Sequence, residues 1–199
     1  MNDQALEPWL DRLIAGDQEA LEVIYQLTRK KVYGTVTLLI RDKEDVNDIV
    51  SEIYYQLWRS LPSYDRKRPF QFWLNGIVIR QVNNWRRQIW RRFRLHERSY
   101  RLGVEPHVEI PDEALMKTES HREIQEAINQ LPYKLRTVII YRYYYDYSYD
   151  QIAELLQIPL GTAKSRLHLA LGKMRKGFNT KQDEENDPIC LNTEKLNNH

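Results

Sequence analysis

Lys164, Ser165 and His168 stand at i, i+1 and i+4 inside Leu160 to Gly177, a stretch with five Lys or Arg and no acid. Such side chains hold phosphates or hydrogen-bond base edges; they make and break no bonds. A second basic run, Arg80 to Arg101, carries eight arginines against one acid, Glu97. One basic run is as readily a solvated helix face as a nucleic-acid contact, but two in separate segments favour phosphate binding. A third group is acidic. Asp45, Asp48, Glu52 and Gln56 fall close to an i, i+3, i+7, i+11 row, which is either a docking face for a basic partner or a solvated helix face. The constellations of bond chemistry are not found. The sequence has no P-loop, H-E-x-x-H, Cys-His zinc spacing or G-x-S-x-G, and its five histidines are scattered. No catalytic residue, metal ligand or cofactor is therefore assigned, and the chain is not expected to be an enzyme.

These groups need helices to position them. Apolar residues recur with helical period at Leu6, Leu10, Leu13 and Ile14, then at Leu21, Ile24, Tyr25 and Leu27, with Gly16-Asp17 as the break between two helices. Over Asp45 to Leu61, Val46, Ile49, Val50, Ile53 and Leu57 make one buried face, ended by Pro62. A polar loop, Ser63 to Pro69, leads into a long helix from about Phe70 to Arg98, with Trp73, Leu74, Ile77, Val78, Val82, Trp85 and Ile89 on one side. Periodicity is lost from Gly103 to Ser120, where Pro106, Pro111 and several acids read as a linker.

Helical patterns then resume at Glu123 to Gln130 and Lys134 to Tyr145. Ser148 and Gln151 form a capping box for Tyr149 to Leu156, whose inner face is Ile152, Ala153 and Leu156. The turn Gln157-Ile158-Pro159 starts a last helix, to about Lys176, that buries Ala163, Leu167, Ala170, Leu171 and Met174. Two short helices joined by a tight turn, the second one basic, match the sequence form of a helix-turn-helix reading the major groove. Helical hairpins that bind no DNA share that spacing. The expected fold is all-α: a helical domain over 1–102, a flexible linker over 103–120, a helix-turn-helix domain over 121–178 and a disordered tail over 179–199.

The charge balance sharpens the reading. The 199 residues carry a net charge of only +2, but the tail from Lys181 onward holds five acids against two lysines, a net of −3, which leaves +5 on the rest. The single cysteine, Cys190, lies in that tail and excludes an internal disulfide or a cysteine metal cluster. The opening MNDQALEPWL lacks a basic segment followed by an apolar one, and no window approaches a membrane span, so no membrane insertion and a cytoplasmic location are expected.

Leu131-Pro132-Tyr133-Lys134-Leu135-Arg136, then Tyr147-Ser148-Tyr149-Asp150-Gln151-Ile152-Ala153 and Gly161-Thr162-Ala163-Lys164-Ser165-Arg166-Leu167, closely resemble region 4 of extracytoplasmic-function sigma factors. Gly16-Asp17, Ala20 and Tyr25 resemble region 2.1 of that family; Asn47-Asp48-Ile49-Val50-Ser51-Glu52-Ile53-Tyr54 with Leu57-Trp58, region 2.2; Phe70, Trp73-Leu74 and Ile77, region 2.3. The resemblance runs in the family's order from about residue 10 to 177.

It implies a factor that binds core RNA polymerase, recognises the −35 and −10 elements of promoter DNA, starts transcription, and has an anti-sigma factor as antagonist. By that resemblance, Asp45, Asp48, Glu52 and Gln56 meet the polymerase. Asp65, Arg66, Lys67 and Arg68 form the loop that pockets a flipped −10 base, with Arg80, Asn84 and Arg87 beside it. Thr162, Lys164, Ser165, Arg166 and His168 meet the −35 element. The chain departs from the family at Arg80, where many members have Asn, at Asn84, where many have Asp, and at Leu169, usually Arg; Leu171 and Gly172 also fall in a normally basic stretch. Two other readings are a conventional helix-turn-helix regulator, which the region 2 resemblance opposes, and an RNA-binding or polymerase-associated protein using Arg86 to Arg101.

Overall fold

The computed structural model describes residues 6–40, 44–97 and 119–185, with side chains placed over 6–40, 44–92 and 124–176. All regular elements among the described residues are helical. They form two compact units, one holding α1 to α4 and the other α5 to α8.

In the first unit, α1 (Glu7–Ile14) ends at Gly16, whose φ of 96° lies where a side chain would be strained. Asp17 then caps α2 (Gln18–Leu39), its carboxylate accepting from the Glu19 amide at 2.9 Å and from Arg12 Nε at 2.7 Å. The Arg12 hydrogen bond, helped by the Glu19 amide, outweighs desolvation and holds the Asp17 carboxyl below its usual range. α3 (Val46–Ser60) passes through a short 3-10 turn, Leu61–Ser63, toward α4 (Phe70–Glu97). α2 packs on α1, α3 and α4, and α3 on α4. Between them lie Leu10 and Leu13, Ile24, Val32 and Val36, Val46, Ile53 and Leu57, and Phe70, Leu74, Val78 and Val82. Inside the unit Thr28 and the Tyr54 hydroxyl form a long-range polar pair 2.8 Å apart, and burial pushes that hydroxyl up to about 12.

The second unit is α5 (Glu119–Gln130), α6 (Tyr133–Tyr143), α7 (Tyr149–Leu156) and α8 (Leu160–Glu185), with α8 packed on the other three. The expected capping box is present: the Ser148 hydroxyl accepts from the Gln151 amide and the Gln151 side chain accepts from the Ser148 amide. At the far end of α7, the Ile158 amide donates to the Ala153 carbonyl and the Gln157 amide to that of Glu154, while Gln157 takes φ 53°. This is a Schellman stop made without glycine. α8 starts one residue after Pro159, so the turn between α7 and α8 is three residues long.

Several boundaries differ from those the sequence predicts. α5 begins at Glu119, within the stretch that reads as linker, and α8 runs to Glu185, past residue 179 where the tail is expected to start. On α7 the buried leucine is Leu155, with Leu156 only half-buried. Leu171 and Met174 are half-buried as well, and the α4 stripe is buried only to Val82, since Trp73 and Trp85 are half-buried and Ile89 is exposed. The linker over 103–118 and Cys190 with the rest of 186–199 lie outside the described residues.

Candidate nucleic-acid and polymerase interfaces

The acidic row is held outward by burial of the opposite side of α3. Val46, Ile49, Val50, Ile53 and Leu57 face the core; Asp48 and Glu52 are exposed, Asp45 and Gln56 half-buried. Gln56 donates to the Glu52 carboxylate at 2.8 Å, which fixes the row's C-terminal pair. The same helix carries two exposed aromatics that the acidic pattern does not announce, Tyr55 and Trp58, each about half exposed at 52% and 53%. Large exposed aromatics beside a charged row are typical anchors of a protein interface.

α4 runs next to that row. Asp48, Glu52 and Gln56 line one wall of a cleft of about 750 Å³ whose other wall is Arg80, Asn84, Arg87 and Arg91 of α4. Residues assigned from sequence to two different partners thus share one depression. A chain of hydrogen bonds orders the α4 side: Arg87 donates to Asn84 Oδ1 at 2.7 Å, and Asn84 donates to Gln81 at 3.3 Å. Each end of the Asn84 amide makes one hydrogen bond within the helix, which positions Arg87 and leaves a second N–H and a second lone pair for another partner. Farther along α4, Arg86, Arg87 and Arg91 surround the exposed Trp90 in a second depression. The charge pattern of the sequence marks those arginines but not Trp90, whose signal is an indole among guanidinium groups, the pairing on which unstacked bases are held.

The loop between α3 and α4 is tightly organised. Asp65 accepts from the Lys67 amide at 3.0 Å and its carbonyl from the Arg68 amide at 3.0 Å, while the Tyr64 hydroxyl donates to the Arg68 carbonyl at 2.7 Å. Tyr64, Phe70 and Trp73 pack their rings together, at centroid separations of 4.9 to 5.7 Å. Trp73 therefore belongs chiefly to this cluster. All of Asp65, Arg66, Lys67 and Arg68 are exposed, and Arg66 pairs with Asp11 of α1, a link no local pattern could reveal.

In the second unit Ala163, Leu167 and Ala170 bury one side of α8, and Lys164, Ser165 and His168 are exposed on the other; Thr162 and Arg166 are half-buried at its edges. The Lys164 ammonium lies 5.9 Å from the Tyr149 ring centroid, folded toward α7. The Ser165 hydroxyl donates back to the Thr162 carbonyl at 3.1 Å. Leu169 is also exposed on this side, at 53%. A support of this unit likewise has no signal in the local pattern: Arg136, buried in α6, donates to the carbonyls of Asn129 and Leu131 at 3.1 and 3.0 Å, tying down the C-terminal end of α5.

A helical unit with an acidic face and an arginine wall, together with a second unit built on a helix-turn-helix, defines a DNA-binding transcription protein. Known families agree with it. Residues 24–92 match the family model for Sigma-70 region 2, and residues 121–174 that for Sigma-70, region 4. The chain is 29% identical over 177 residues to the ECF RNA polymerase sigma-E factor of Haemophilus influenzae, covering 85% of this chain and 92% of the relative. It is also 29% identical over 175 residues to the ECF RNA polymerase sigma factor SigW of Bacillus subtilis, covering 81% and 90%. The solved sigma factor RpoE from Bartonella quintana, in complex with the anti-sigma factor NepR, shares the fold with a TM-score of 0.65 at 21% identity, covering 78% of this chain and 94% of that one. The chain belongs to the extracytoplasmic-function group of the sigma-70 family. Its function is accordingly promoter recognition and transcription initiation as a sigma factor of RNA polymerase.

Proposed function

We infer that this chain divides its work among three surfaces. The row Asp45, Asp48, Glu52 and Gln56 docks on a basic surface of core polymerase, with Tyr55 and Trp58 as apolar anchors. Asp65, Arg66, Lys67 and Arg68, with Arg80 and Arg87 of the cleft, hold the −10 strand, while Asn84 holds Arg87. Thr162, Lys164, Ser165, Arg166 and His168 meet the −35 element in the major groove. The helical domain holds α1 to α4 and the helix-turn-helix domain α5 to α8. The factor makes and breaks no bonds itself; all chemistry stays with the polymerase. A cytoplasmic location follows from that partner, and among the described residues no helix is long and apolar enough to cross a membrane. The complex of the sigma factor RpoE with the anti-sigma factor NepR, whose sigma chain shares this fold, supports an anti-sigma antagonist for this chain too.

The observation that carries this reading is the second helix of the helix-turn-helix, which packs through small and apolar residues and leaves its polar side open. The test is a start-site map, made with purified chain, core polymerase and a promoter library. Lys164→Ala with His168→Ala should change which upstream elements are used, each lost base contact costing about 1 to 3 kcal/mol, with core binding unchanged. Equal loss at every promoter would assign these two side chains to phosphates. The position of Lys164 over Tyr149 makes His168 the larger contributor.

A further inference from the structure

The polar face of α8 contains one residue that does not suit water or phosphate. Leu169 is exposed at 53% in the helix whose neighbouring exposed side chains are Lys164, Ser165, His168 and Lys173. The buried row Ala163, Leu167 and Ala170 fixes the rotation of the helix, and at 3.6 residues per turn Ser165 then stands opposite the core. His168 and Leu169, three and four residues on, flank Ser165 on its two sides. Leu169 therefore lies on one flank of the outward face, in line with Thr162 and beside Ser165, with His168 on the other flank.

Of its neighbours there, Ser165 has spent its hydroxyl proton on the Thr162 carbonyl, and Lys164 leans back over Tyr149. Ser165, its proton used, then meets a base only as an acceptor, and neither side chain offers a groove wall an apolar contact. An apolar side chain at that position faces a groove wall with one apolar group on it, the C5 methyl of thymine, since base edges otherwise present donors and acceptors.

Resting on the assignment of this face to DNA, we propose that Leu169 is a specificity-determining residue that selects a thymine in the upstream promoter element by apolar contact with its methyl group. Part of the −35 preference is then read by exclusion of water. A leucine there also disfavours cytosine and guanine at that position, because their polar edges would be desolvated without a partner.

The test replaces thymines of the upstream element one at a time with deoxyuridine, which removes only the methyl. Promoters are taken from the start-site map, and open-complex formation is measured with core polymerase and the full chain. At one position the wild-type protein should lose about fourfold in affinity, the equivalent of one buried methyl. Leu169→Ala should show about that loss on the thymine template and no further loss on the deoxyuridine template, while Leu169→Met should keep the sensitivity.

Indifference of the wild type to every methyl, or equal sensitivity in Leu169→Ala, would overturn the proposal. A photo-crosslinker on Ser165→Cys, in a Cys190→Ser background, separates that failure from failure of the face assignment. Capture of the upstream element without methyl sensitivity removes only the role of Leu169, whereas no capture of promoter DNA removes both.

Discussion

A buried guanidinium is costly unless its protons are used, and Arg136 donates to the Asn129 carbonyl in the last turn of α5 and to the Leu131 carbonyl just past its end. Carbonyls at a helix C-terminus lack helical partners, and the Arg136 Nη2 group satisfies these two. Arg136→Met should keep the volume and lose the bonds, destabilising the α5 to α8 unit by about 2 to 3 kcal/mol in denaturant unfolding. An unchanged midpoint would show that the clamp is neutral. Tyr54 gives a pH prediction for the other unit. Its hydroxyl leaves 10.0 for about 12 because burial disfavours the phenolate more than the Thr28 hydrogen bond favours it. Between those values the unfolded chain gives up a proton that the folded one keeps, so stability falls as pH rises from about 10 to about 12. The fall is on the order of 2 kcal/mol, and Tyr54→Phe should remove most of it while losing about 1 kcal/mol at neutral pH. All five tryptophans, Trp9, Trp58, Trp73, Trp85 and Trp90, lie in the α1 to α4 unit, so fluorescence reads this unit alone. Equal pH slopes for wild type and Tyr54→Phe would contradict the assignment.

At the scale of elements, α7 depends on its ends more than on its length. Eight residues form no stable helix alone, and the capping box at Ser148 and the Schellman stop at Gln157 satisfy orphan amides and carbonyls at the two ends. Ser148→Ala should cost about 1 kcal/mol and speed amide exchange across Tyr149–Leu156, with α8 losing part of its support. Unchanged exchange would mean that packing on α8 carries the helix by itself. That cap is legible in the sequence because it is written in four adjacent residues, and the helices are legible because apolar period survives in any context. Leu155 rather than Leu156 faces inward because adjacent leucines satisfy the same period, and only the partner helix chooses between them. Ile89 follows the period yet stays exposed for a related reason: the apolar pattern outlasts the core, which ends at Val82. Arg66 with Asp11, and the cleft between α3 and α4, join residues far apart in sequence, for which a single chain carries no local signal. The candidate DNA face of α8 is readable as polar against apolar, but the inward turn of Lys164 and Ser165 depends on Tyr149 and on the helix backbone.

Across the α1 to α4 unit, the proposed polymerase and −10 surfaces are not independent, because Asp48 and Glu52 share a cleft with Arg80, Arg87 and Arg91. In the free protein the two carboxylates lower the positive potential that the arginines offer to phosphates. A basic polymerase surface docking on the acids draws on the same charges and leaves the arginines more available to DNA. Replacing Asp48 and Glu52 together by Lys should therefore act in opposite directions on the two partners. Co-purification with core polymerase should weaken by on the order of a few kcal/mol, since two attractive charges become repulsive ones. Binding of the free protein to non-promoter DNA should instead tighten, with a steeper dependence on salt as more phosphates are neutralised. Both positions are solvent-exposed on α3, so the fold should be kept and tryptophan fluorescence unchanged. Loss of both affinities would mean a damaged unit, and unchanged polymerase binding would remove Asp48 and Glu52 from that interface. Weaker polymerase binding with unchanged DNA affinity would leave the interface in place and show that the cleft transmits no charge between its walls.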